Sequence, residues 1–149
     1  MRGYCWFFLA TALLLSACAP SLSPLYRDYE ILPEESAGPS DDDVYARILR
    51  AFEEAGWTPT VAVTENVIAT EVRTLRQWGI YKTVAYLEAA PVSGKYVRLF
   101  IHPYRRFITG GRSKIPYLSR SLRGQILPDI NEAFEKQGLK PVGRPYDLR

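Results

Sequence analysis

Apolar and polar positions divide the chain into three unlike stretches. Residues 4–17 form an almost unbroken apolar run. Residues 19–40 are interrupted by Pro20, Pro24, Pro33 and Pro39 with small polar residues between them, a composition that resists regular structure. Beyond residue 40 the apolar positions become periodic. Val44, Ile48, Phe52 and Ala55, with Leu49 and Ala51, recur at helical spacing. Ser40 before three aspartates supplies a capping hydroxyl and acids at the positive end of the helix dipole, and Gly56 is the expected stop.

The period then shortens to two. Trp57 opens a first strand with Val61 and Val63 on one face, and Glu65-Asn66 turns the chain. Residues 67–75 form a second, β-branched strand with Ile68, Thr70, Val72 and Thr74 on one face. Residues 76–79 connect to a third strand over 80–90, Pro91-Val92-Ser93-Gly94 is a turn, and a fourth strand over 95–102 points Val97, Leu99 and Ile101 inward. A basic loop follows. Residues 118–137 then predict a helix interrupted at Pro128, with Ile126, Ile130 and Phe134 four apart and Gly138 at its end. The order helix, four strands, helix predicts an α+β domain: a single four-stranded antiparallel sheet with both helices on one face.

The apolar run at the N-terminus has a different meaning. Met1-Arg2-Gly3 gives it a positive lead, and its 14 residues fall short of the roughly 18 needed to span a bilayer, as in a secretory signal core. It ends in Leu15-Ser16-Ala17-Cys18. These four residues resemble the lipobox of bacterial lipoproteins. The resemblance implies cleavage before Cys18, a diacylglycerol on its thiol and an acylated amine. Ala19 stands where an aspartate marks inner-membrane retention in enteric lipoproteins, so the resemblance also implies an outer-membrane address with the domain in the periplasm. The mature chain would hold no free thiol and no disulfide, leaving the core alone to hold the domain. The organisation expected is a removed signal (1–17), a lipidated cysteine on a flexible acidic tether (18–41), one domain (42–140) and a short tail (141–149). Within the tether, residues 25–32 carry five large apolar or aromatic side chains that a spacer does not need, so this piece is expected to dock on its own domain or on a partner.

Charge sharpens the functional question. The whole chain of 149 residues has a net charge of +3, but residues 19–43 hold one basic and seven acidic groups, while residues 44–149 hold seventeen basic and nine acidic ones. Between Ala89 and Pro128 there is no acid at all. Lys95, Arg98, Arg105, Arg106, Arg112, Lys114, Arg120 and Arg123 fall there, with Tyr96, Phe100, Tyr104, Phe107 and Tyr117 among them. Guanidinium groups take phosphates and carboxylates by paired hydrogen bonds. Arg98, Arg105, Arg106, Arg112, Lys114, Arg120 and Arg123 are therefore candidate contacts for an anionic ligand, and a solvated basic loop is the plainer reading of the same residues. An export signal argues against nucleic acid. Tyr96 and Phe100 fall on the outer face of the fourth strand, and Tyr26 and Tyr29 of the tether are placed to cover it. These four are candidate partner contacts.

Catalysis is not expected. His102 is the only histidine, no Gly-x-Ser-x-Gly turn occurs, and the ligands for a zinc site are missing, so no metal or cofactor is expected. Gly110-Gly111-Arg112-Ser113-Lys114 lacks the spacing of a phosphate-binding loop and fits a surface turn. The helix–Gly–aromatic–strand–turn–strand pattern from Ala51 to Thr70 is similar to the helix-grip domains of BamC-type envelope lipoproteins, over residues 42–139. Those proteins carry two such domains, and this chain has room for one. The expectation is a non-catalytic accessory lipoprotein contacting another envelope protein. The alternative is a module that binds an anionic envelope lipid or glycan through residues 95–123.

Overall fold

A computed structural model describes residues 25–32, 41–60 and 67–143. Cys18, the Ser40 cap, Val61, Val63 and the Glu65-Asn66 turn lie outside them. The described residues form an α+β fold with an antiparallel sheet and two helices, and the sheet has eight strands rather than four. In chain order these are β1 (Tyr26–Ile31), α1 (Asp41–Glu54), β2 (Pro59–Thr60), β3 (Ile68–Thr70), β4 (Arg73–Gln77), β5 (Tyr81–Val92), β6 (Tyr96–Phe107), β7 (Arg112–Lys114), α2 (Arg120–Lys136) and β8 (Leu139–Pro141).

The long β5–β6 hairpin is the axis of the sheet. Its twelve facing pairs run from Tyr81 opposite Phe107 to Val92 opposite Tyr96. Pro91 and Val92, expected in the turn, extend the strand, and the turn is Ser93–Lys95 with Ser93 and Gly94 at positive φ. Both outer edges of the hairpin are shared. β3 and β4 lie end to end along β5, and β1 and β7 lie end to end along β6. Pro103, inside β6, falls at the second junction. Its carbonyl accepts from Ile115 on that edge, so the missing proline N–H also points there, where no strand needs a donor.

The expected second strand is therefore two strands. The ladder breaks at Glu71-Val72, and the Thr70 hydroxyl accepts the Leu87 N–H at 3.0 Å, substituting for a lost backbone acceptor. After the break Val72 is exposed, Leu75 is the extra residue of a bulge, and Thr74 points outward. The expected connection over 76–79 and the expected basic loop after residue 102 are also largely strand. β4 runs to Gln77, β6 runs to Phe107, and β7 carries Arg112 to Lys114.

The largest correction concerns the tether. Residues 26–31 form β1, paired with β6 on one side and β8 on the other. Tyr29 does not cover the outer face: it is fully buried, its ring 4.5 Å from Phe134 and its hydroxyl donating to Asn131 Oδ1 at 2.9 Å. The segment docks on its own domain by extending the sheet edgewise, and among the described residues nothing covers the outer face around Tyr26 and Phe100.

One core joins Val44, Ile48, Ala51 and Phe52 of α1 to Leu122, Ile126, Ile130 and Phe134 of α2 and to Ala85, Leu87, Ala89, Val97, Leu99 and Ile101 of the hairpin. Both helices thus cover one face of the sheet. Ser119 caps α2 by accepting the Leu122 N–H, and Gly138, at φ +73°, follows it. Pro128 does not interrupt α2; Leu127 and Ile130 on either side hold that turn against the core.

Candidate functional site

Alternation along the strands decides what the open face of the sheet displays. With Val97, Leu99 and Ile101 inward, Tyr96, Arg98, Phe100, His102 and Tyr104 of β6 point out, and register places Tyr26 opposite Phe100 and Tyr86 opposite His102. Tyr26, Tyr96 and Phe100 are exposed. Three of the four aromatic candidates therefore meet on one surface, and Tyr29 is excluded by its burial.

The polar side chains among these rings are bonded to one another. Arg98 forms a two-pronged bridge to Asp28, Nε–Oδ1 2.7 Å and Nη2–Oδ2 2.9 Å, with its guanidinium 4.7 Å from the centre of the Tyr26 ring. The bridge holds Arg98 firmly protonated, first through the hydrogen bonds and then through the nearby charge. It also removes Arg98 from the set of cations open to an anion. His102 Nε2 donates to Glu88 Oε2 at 2.8 Å, and its ring stacks on Tyr86 at 4.5 Å and 12°. Burial, followed by the Glu88 charge, pushes the Tyr86 hydroxyl up from the ordinary tyrosine range. His102, Tyr86, Tyr104, Val72, Arg112 and Lys114 border an open depression of about 520 Å3. Among the described residues no three His, Cys, Asp or Glu side chains gather as metal ligands would.

Arg106, Arg112 and Lys114 come together on the outer face, while Arg105, next along β6, turns to the helix side. Antiparallel pairing sets Arg106 opposite Arg112 and Tyr104 opposite Lys114, with Arg105 opposite Ser113. Two cations that sequence reasoning passed over stand at the same end: Lys82, opposite Arg106 on the outer face, and Arg76 of β4, which is on the helix side with Arg105 and donates to Ser121 Oγ of α2. Arg105 lies over the Tyr81 ring, and Arg76 over Trp78. A second depression of about 300 Å3 opens between this end of the sheet and the start of α2, bordered by Arg76, Arg105 and Lys114. Arg120 and Arg123 belong to α2 rather than to the sheet end, Arg120 exposed and Arg123 half-buried.

Two turns close this end. Gly79 and Ile80 join β4 to β5, residues 108–111 join β6 to β7, and the Ile108 N–H donates to the Ile80 carbonyl across them. Trp78, Ile80 and Ile108 were not singled out from sequence. Large apolar residues beside glycine at a turn were the available signal. No protein-family model matches this chain, and no curated protein matches it in sequence.

Proposed function

We propose that this protein is an envelope lipoprotein, anchored through lipid on Cys18, with a non-catalytic accessory role: its domain docks another envelope protein on the open face of the sheet. The observation that carries this reading is the bare face itself. Both helices pack on the opposite side, and Tyr96 and Phe100 of the long hairpin stand exposed on this face with Tyr26 of β1 opposite Phe100. Aromatic residues are enriched at the centres of protein interfaces. The Arg98–Asp28 pair is neutralised within the domain and His102 is hydrogen-bonded to Glu88, so covering this face leaves none of these four side chains without a partner.

A photo-crosslinking residue in place of Phe100 or Tyr96, introduced in native cells, tests this. The expected result is one dominant protein adduct from the face positions, none from Arg50 on the exposed side of α1, and loss of the adduct with Tyr26→Glu or when Cys18→Ser releases the chain. No adduct from the face, or the same adducts from Arg50, overturns the reading. A second reading, an anionic lipid or glycan ligand, draws on Arg106, Arg112 and Lys114 sharing one face, with Arg105 at the same end of the sheet. Ligand binding there weakens steeply with salt, whereas the aromatic contact tolerates it.

A further inference from the structure

The sheet end described above combines three properties. The first is apolar exposure. Ile108 is 76% exposed, Ile80 65% and Trp78 51%, the three highest values among the large hydrophobic residues, and all three lie on the two bonded turns. The second is charge. Lys82, Arg106 and Arg112 flank those turns on the outer face and Arg76 and Arg105 flank them on the helix side, and the only carboxylate between Val72 and Pro128 is Glu88. Glu88 is bonded to His102 and lies six residues along β5 from Lys82, about 20 Å away. The third is position. β1 runs antiparallel to β6, so its N-terminal end, Leu25, faces this same end of the sheet, with the Leu25 carbonyl accepting from the Ile101 N–H.

We infer that this end is a membrane-seating tip: Trp78, Ile80 and Ile108 enter the headgroup region of an anionic phospholipid surface while Arg76, Lys82, Arg105, Arg106 and Arg112 contact lipid phosphates. The inference rests on the membrane-anchored reading for its geometry. Seven peptide units separate Cys18 from Leu25, so a lipid there sits at most about 25 Å from the domain. The tip projects about 20 Å past the point where the chain exits, from Ile101 to Phe107 along β6. Anchor and tip therefore reach the same plane. Tryptophan favours the interfacial region, and a basic patch beside a lipid chain is the usual second signal for stable attachment.

The test uses the mature chain in two forms, with its lipid and as Cys18→Ser. The mass of the membrane-purified protein reads the anchor separately. Trp57 is buried in the core and Trp78 is exposed, so quenching of tryptophan emission by brominated acyl chains reports Trp78, with Trp78→Phe as the control. The lipidated form is expected to be quenched on vesicles of phosphatidylcholine with phosphatidylglycerol, and less so with Ile80→Glu or Ile108→Glu. The Cys18→Ser form is expected to bind the same vesicles, to lose about fivefold in partitioning for each of Lys82→Gln and Arg106→Gln, and to release in high salt. Unquenched Trp78 on anionic vesicles, or partitioning indifferent to salt and to both substitutions, overturns the tip. A photo-crosslinker at Ile108 that captures a protein and no lipid overturns it as well. An unlipidated mass with a quenched Trp78 overturns the anchor and leaves the tip standing.

Discussion

Tyr29 carries more of the fold than any other residue of its strand. Its ring packs on Phe134, which in turn meets Phe52 edge-on at 5.7 Å, so one aromatic contact line joins β1 to both helices. Tyr29→Ala empties that position and is expected to cost about 3–5 kcal/mol, whereas Tyr29→Phe removes only the bond to Asn131 and costs about 1 kcal/mol. Urea midpoints separate the two. Burial also raises the Tyr29 hydroxyl above its ordinary value of 10. The folded state favours the protonated form, so the contribution is complete below pH 10 and is lost as pH climbs beyond it, where the unfolded chain ionises first. Wild-type stability should fall between pH 9 and pH 11 more steeply than that of Tyr29→Phe, a difference read from denaturation midpoints in that window. Thr70 is a smaller case of the same dependence on one atom. Thr70→Val keeps the shape but leaves the Leu87 N–H buried and unpaired, at an expected cost of about 1–3 kcal/mol, while Thr70→Ser keeps the acceptor.

At the scale of elements, legibility followed the apolar period. α1 and the inward face of β6 were readable because Val44, Ile48 and Phe52, and Val97, Leu99 and Ile101, repeat at the spacing of their own structure. β1 was not, because its inward residues are Arg27, Tyr29 and Ile31, and a buried arginine breaks the alternation. It is a strand because β6 and β8 offer it two edges, a fact set by chain segments far away in sequence. β7, three polar residues on an edge, has no hydrophobic signature at all. The split between β3 and β4 depends on a hydroxyl reaching seventeen residues ahead. Deleting residues 25–32 is expected to unpair the inner half of β6 and expose a long apolar edge, so the shortened chain should aggregate in light scattering while the whole one stays monodisperse.

The whole molecule assigns its charges in ways local sequence does not reveal. Arg105, Arg106, Arg112 and Lys114 were legible as a group because one tight hairpin gathers them. Lys82 arrives beside Arg106 through the β5–β6 register, and the β4–β5 register sets Arg76 on the helix side with Arg105. Arg98 has the same composition signal but is neutralised by Asp28, seventy residues away. The sheet that results has an aromatic face whose Arg98 is bridged to Asp28 and an end rich in cations, which are surfaces suited to different contacts.

The placement of β1 also has a mechanical side. A pull on the chain ahead of Tyr26 acts along the axis of β1, which is held by five facing pairs on β6 and three on β8. Ladder hydrogen bonds lie across the strand, so this load shears them together instead of opening them one at a time. Whatever tugs the domain from its base meets a joint that yields all at once or holds.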